Sequence, residues 1–142
     1  MSNRLQDKVA IVTGGSVGIG QATSVLFAEE GAKVVVANPN ARAGEECAAQ
    51  IRAQGGDAIF VQTDISNEDH CRRVCDEAVR VFGKLNILVN NGAVFIFKDL
   101  EATVADWQRT LSVNVMGTAL MSRFATHHMK EAGVARRKRP TS

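Results

Sequence analysis

Thr13-Gly14-Gly15-Ser16-Val17-Gly18-Ile19-Gly20 has the residue types and spacing of a turn that cradles phosphate. Gly14 permits a tight turn, Gly18 lets the backbone approach a pyrophosphate, and Gly20 lets a following helix pack close to a sheet. A helix opening here aims free N–H groups and a partial positive charge at the phosphates. A dinucleotide also needs a contact about 20 residues further on, where an acidic side chain ordinarily takes the adenosine ribose 2′-hydroxyl. Asn38 stands at that place and Pro39 follows it. Asn can bond a hydroxyl, but it neither repels nor attracts a 2′-phosphate. Arg42 lies within a helical turn and is in reach of a phosphate. No Arg or Lys occurs in the glycine turn or directly after the strand, so NAD is the expected cofactor and NADP the alternative. The plainer reading of Asn38-Pro39-Asn40 is a turn and a helix N-cap.

Other reactive groups are few. The chain has 142 residues and no Tyr, which removes any phenolic acid or base. His70 is expected in solvent at a helix start beside Asp69. His127 and His128 fall about four helical turns past Asn114, roughly 20 Å away, too far to share a substrate with it. Cys71 and Cys75 share the spacing of a buried helix face, and no further ligand is near them, so no metal site is expected. Cys47, Cys71 and Cys75 read as buried free thiols of a reducing compartment.

The elements that must position these residues alternate. Val9 to Val12, Val34 to Ala37, Ala58 to Val61 and Leu85 to Val89 are short continuous apolar runs, as expected of strands covered on both faces. Between them lie helical patterns, clearest at Cys71, Val74, Cys75, Ala78, Val79 and Phe82, and at Gly44, Cys47, Ala48 and Ile51. Ser66 with Asp69 and Thr103 with Asp106 read as helix starts. Gly31, Gly55-Gly56 and Gly83 stand where helices should stop. After a loop from Asn90 to Asp99, a long helical pattern carries Trp107, Leu111, Val115, Met116, Leu120 and Phe124, and Gly133 ends it. Strand–helix–strand units in this order imply an α/β doubly wound parallel sheet.

Four ordered motifs resemble the classical short-chain dehydrogenase/reductase family over about residues 5 to 133. They are the glycine turn in its T-G-x-x-x-G-I-G form, Asp64-Ile65 after the third strand, Asn90-Asn91-Gly92-Ala93 after the fourth, and Asn114 within Ser112-Val113-Asn114-Val115. The third is close to the family's N-N-A-G, with Ala and Gly exchanged. The resemblance implies that Gly14, Ser16, Gly18, Ile19 and Gly20 hold the pyrophosphate and Asn38 the ribose. It likewise implies Asp64 and Ile65 against the adenine, Asn91 and Gly92 on the nicotinamide side, and Asn114 as a catalytic residue that kinks its helix. Family members interconvert alcohols and carbonyls by hydride transfer, and a Tyr with a Lys and a Ser handles the hydroxyl proton. Those three lie past a fifth strand, which this sequence does not reach. The expectation is a Rossmann-type sheet truncated after the fourth strand and the long helix, which binds the cofactor without turnover. A small alcohol or carbonyl substrate belongs to a full-length form. The long helix, part of a subunit interface in the family, points to a homo-oligomer.

Lys and Arg total 17 and Asp and Glu 15, and four of the basic residues are Arg136, Arg137, Lys138 and Arg139. The rest of the chain is mildly acidic, which does not suit nucleic acid or an anionic membrane. Residues 1–133 are therefore read as an incomplete NAD(P)-binding domain and 134–142 as a basic tail outside the family pattern, as a shifted reading frame or altered terminus would give. A nucleic-acid-binding tail is the lesser reading, and a non-catalytic dinucleotide-binding interaction module is the main alternative. The apolar runs are too short for a signal segment or a membrane span, and the expected location is the cytoplasm.

Overall fold

The computed structural model describes residues 2–134; the basic run Arg136 to Arg139 and the reading of the tail lie outside them. Four parallel strands stand in the order β3-β2-β1-β4. They are β1 (Val9–Thr13), β2 (Lys33–Asn38), β3 (Asp57–Gln62) and β4 (Ile87–Val89). Ile11 pairs with Val35 on one side and with Leu88 on the other. The helices are α1 (Gly18–Glu29), α2 (Ala41–Ala53), α3 (Glu68–Phe82), α4 (Val104–Leu111) and α5 (Thr118–Glu131).

Strand side chains alternate between the two faces, and each face has helices over it. Val34 and Val36 pack with Cys47, Ala48 and Ile51 of α2, joined by Val25 and Ala28 of α1. Val35 and Ala37 pack with Cys71, Val74, Cys75 and Ala78 of α3 and with Met121 and Ala125 of α5. This is a Rossmann-type doubly wound sheet. Every residue of β1 is buried. A fully buried Val or Ile there contributes about 2 kcal/mol by removal of apolar area, most of it offset by lost chain entropy. Cys47, Cys71 and Cys75 are buried and free, and burial pushes the Cys75 thiol up to about 12.

Two boundaries differ from the sequence reading. Leu85 is fully buried, yet strand pairing begins only at Ile87. The α3 start is set by Asn67, whose side chain accepts from the His70 N–H at 3.1 Å, and not by Ser66 with Asp69. Ser66 instead donates its hydroxyl to Asp64. The Thr103 and Asp106 box at α4 is present in both directions. Gly83 ends α3 in the left-handed conformation, φ 85°, which an L side chain would resist.

The N-terminal segment is clipped to the end of α1 through Glu30, which accepts from Arg4 N–H and side chain and from the Ser2 hydroxyl. The Arg4 backbone N–H, then the Arg4 side chain and Ser2, hold the Glu30 carboxyl down at about 2, against 4.5 ordinarily. A lowered folded-state value stabilises above the unfolded value and loses that stabilisation as pH falls through the folded one. Wild type is therefore expected to melt above Glu30→Gln at neutral pH, with the gap closing between pH 4.5 and about 2. Melting of both proteins across that range checks it, and a gap that persists at the acid end would contradict it.

Candidate functional site

The sheet order reverses direction between β1 and β4, so the crevice past their carboxyl ends is a topological switch point. The glycine turn leaves β1 there. Gly14 has φ 61° and Gly18 φ 54°. Gly14 N–H donates to the Ala37 carbonyl at 2.8 Å, and its own carbonyl accepts from Asn91 Nδ2 at 3.1 Å. The Gly15 carbonyl accepts from the buried Ser24 hydroxyl at 2.9 Å and from the Cys47 thiol at 3.5 Å. Ser16 is buried and Ile19 is exposed.

Two glycines of this turn play opposite parts. A Cβ on Gly20 would lie 2.0 Å from the Gly14 carbonyl oxygen and 2.5 Å from Asn91 Nδ2, so close packing requires glycine there. A Cβ on Gly18 would meet nothing within 4 Å. The space over Gly18 is open, and α1 begins behind it with no side-chain cap, whereas Asn40, Asn67 and Thr103 cap α2, α3 and α4. The first-turn N–H groups of α1 lack the side-chain acceptor that these three supply.

Beside the turn, a cleft of about 80 Å³ is lined by residues including Asn38, Asp64, Ile65, Gly92, Arg109 and Val113. Asn38 is buried; its Nδ2 donates to Ser16 Oγ, and its Oδ1 is buried with no partner among the described residues. An unpaired buried acceptor costs about 1–3 kcal/mol, so this oxygen is one donor short. The Asp64 carboxylate accepts at Oδ1 from the Ser66 N–H at 3.0 Å and hydroxyl at 2.6 Å. Arg109 approaches Oδ2 at 3.4 Å. Burial pushes the Asp64 carboxyl up, but the Ser66 bonds and the Arg109 charge outweigh it and hold it below the usual carboxylate range.

His70 is half-buried, not solvated as its sequence position implied. Its Nδ1 accepts from the Asp64 backbone N–H at 3.1 Å, which anchors the loop after β3. Thr13 opens the glycine motif but has no role in the motif reading. Its hydroxyl oxygen accepts from the N–H groups of Asn91 and Gly92, at 3.1 and 2.9 Å, and donates to the Val89 carbonyl.

The long helix is interrupted by a π-helical turn, Ser112–Gly117, with Asn114 inside it. Asn114 is part-buried, and both atoms of its amide bond the same residue. Its Oδ1 accepts from the Val94 N–H and its Nδ2 donates to the Val94 carbonyl, each at 2.8 Å. Gly117 closes the turn where a Cβ would sit 2.7 Å from the Ile65 side chain. A separate cavity of about 550 Å³, between α3 and α5, is lined by Arg72, Asp76, Arg123, Phe124 and His128 among others, and shares no lining residue with the cleft. His128 Nε2 lies 3.0 Å from Asp76 Oδ1. Among the described residues no group of three or more His, Cys, Asp and Glu is placed to hold a metal ion. No helix among them is long and apolar enough to cross a membrane.

A doubly wound parallel sheet with a glycine turn and an uncapped helix start at its switch point defines a Rossmann-type α/β protein. The short chain dehydrogenase model matches residues 8–136, and the chain belongs to that family of oxidoreductases. An uncharacterized oxidoreductase of Thermotoga maritima is 39% identical over 130 residues, which are 91% of this chain and 51% of that protein. An NADP-dependent (R)-specific alcohol dehydrogenase of Lentilactobacillus kefiri is 41% identical over 136 residues, 94% of this chain and 53% of that one. A Serratia marcescens short-chain dehydrogenase/reductase variant superposes with a TM-score of 0.83 at 36% identity, covering 88% of this chain and 52% of its own. The chain thus spans about half the length of the relatives it matches.

Proposed function

We propose that this chain binds a nicotinamide dinucleotide across the glycine turn and the adjoining cleft, and that it prefers NAD(H) to NADP(H). The observation that carries this is the uncapped α1 start behind the open space at Gly18. A pyrophosphate supplies the acceptors that such N–H groups lack. Gly14, Ser16, Gly18, Ile19 and Gly20 form the pyrophosphate seat. Asn38, which lines the cleft, takes the adenosine ribose hydroxyl. Asp64 and Ile65 take the adenine, and Asn91 with Gly92 faces the nicotinamide side. The bound nicotinamide supplies a hydride donor or acceptor. Asn114, the residue the family resemblance makes catalytic, also positions the loop after β4, since both its amide atoms hold Val94 next to the Asn91–Gly92 corner.

NAD(H) is preferred because no Arg or Lys stands in the glycine turn or directly after β2, so a 2′-phosphate gains no adjacent cation there. Arg42 is exposed and engaged with Glu46 at 3.1 Å. The alcohol dehydrogenase from Lentilactobacillus kefiri is NADP-dependent by name, so the preference belongs to this chain's own residues. NADH is expected to bind about tenfold tighter than NADPH, the worth of one missing charge-assisted bond. Fluorescence titration of both cofactors decides this; equal or reversed affinities would contradict it.

Alcohol–carbonyl hydride transfer is the proposed chemistry of a longer protein that contains this half. The names of the Lentilactobacillus enzyme and of a cyclopentanol dehydrogenase of Comamonas support that substrate class. The 142 residues by themselves hold no Tyr. His70 Nδ1 holds the Asp64 backbone N–H, and His128 lies beside Asp76 at the cavity between α3 and α5, which shares no lining residue with the cleft. These 142 residues are expected to bind without turning over.

A second reading, an interaction module that a dinucleotide stabilises, draws on one observation. Phe97, Leu100 and Trp107 are 89%, 100% and 60% exposed, on the α4 start and the loop before it. Apolar exposure of this extent favours association, and a homo-oligomer through the long helix fits it.

A further inference from the structure

Arg109 crosses from α4 to the loop after β3, 45 residues away in sequence, and its Nη1 meets Asp64 Oδ2 at 3.4 Å and Ser66 Oγ at 3.0 Å. No motif points to it. The lone pairs of the Asp64 carboxylate can be counted. Oδ1 has both filled, by the N–H and the hydroxyl of Ser66. Oδ2 has one filled, by Arg109, and Asp64 lines the cleft. The carboxylate therefore has one directed acceptor left, and three groups fix its plane. His70 fixes the Asp64 backbone as well, through the N–H.

We propose that Arg109 is a positioning residue for base recognition: it orients Asp64 Oδ2 so that the cleft selects a purine bearing an exocyclic amino donor over one bearing a carbonyl. The inference rests on the dinucleotide reading above. Arg109 is itself a lining residue of the cleft, and its side chain is 44% exposed. An exposed ion pair of this kind adds little to stability. Its consequence is geometric, since the guanidinium sets which lone pair faces the ligand. Adenine presents an N–H donor at that position and hypoxanthine a carbonyl oxygen, which a carboxylate repels. A site built to bond a donor rejects an analogue that lacks it.

The test titrates wild type, Arg109→Met and Arg109→Lys with NADH and with its hypoxanthine analogue, and records the melting temperature of each protein. Wild type is expected to bind NADH about tenfold tighter than the analogue, one charge-assisted bond. Arg109→Met is expected to bring that ratio near about twofold at an almost unchanged melting temperature, and Arg109→Lys to restore part of it. An unchanged or larger ratio in Arg109→Met overturns the proposal. Equal weakening of both ligands overturns it too, because a merely structural role would do that. If wild type binds neither cofactor, the dinucleotide reading falls and this one with it. Binding by wild type with no discrimination sinks this inference alone.

Discussion

Gly20→Ala is expected to lower the melting temperature by roughly 10 °C and to abolish cofactor binding, a loss of about 2–3 kcal/mol. Two effects oppose each other. Alanine is a better helix former than glycine by about 1 kcal/mol. Against that, the new Cβ would lie 2.0 Å from the Gly14 carbonyl oxygen and 2.8 Å from the Gly14 carbonyl carbon, which are backbone atoms that cannot swing aside. Overlap wins, and relief comes only by pushing the glycine turn off the Asn91 corner. Gly18→Ala is the informative partner. Its left-handed φ of 54° costs an alanine about 1 kcal/mol. The methyl group, however, meets nothing within 4 Å among the described residues. It occupies the space in which a pyrophosphate would approach the backbone. Gly18→Ala should therefore keep most of its stability and lose cofactor affinity, and Gly20→Ala should lose both. Thermal melts and NADH titrations of the two variants check this, and equal behaviour of the two would contradict the division of roles.

Asn114→Ala is expected to cost about 2–3 kcal/mol, from two bonds to a part-buried backbone whose groups are then left unpaired. The side chain bonds both polar groups of Val94, at 2.8 Å each, and so joins the π-helical turn to the loop after β4. Asn114→Asp separates the two bonds. A carboxylate still accepts from the Val94 N–H, but it cannot donate to the Val94 carbonyl and would repel it. It should therefore fail to recover the wild-type melting temperature even though it is nearly isosteric. Denaturant melts of both variants give the measurement. An Asn114→Ala loss under about 0.5 kcal/mol, the range of an ordinary surface substitution, would show that the turn is held by something else.

The strands were legible because both faces of the sheet are covered, which leaves runs such as Val9 to Val12 without polar alternation. The glycine turn was legible because its spacing follows from backbone geometry alone. Leu85 misled because apolar character reports burial, whereas strand pairing depends on the register with β1, which starts at Ile87. At α3, Ser66 and Asn67 are adjacent residues of equal capping talent. The choice went to Asn67 because Asp64 claims the Ser66 hydroxyl. The roles of Thr13 and Arg109 were invisible for the same reason: each acts on a residue brought near only by the fold. His70 was misjudged as solvated because the turn after β3 folds its ring back onto the Asp64 N–H, six residues earlier. For Gly117 a signal existed. It is the sole glycine inside the long helical pattern, and a conformational or packing reason for it could have been sought.

The most direct test of cofactor binding is thermal melting of the 142-residue chain with and without NADH at about ten times its dissociation constant, where a native-state ligand adds about 1.4 kcal/mol. The expected result is a rise of roughly 5 °C in wild type and none in Gly18→Ala under the same conditions. No rise in wild type, or an equal rise in Gly18→Ala, would contradict a dinucleotide seated on the glycine turn.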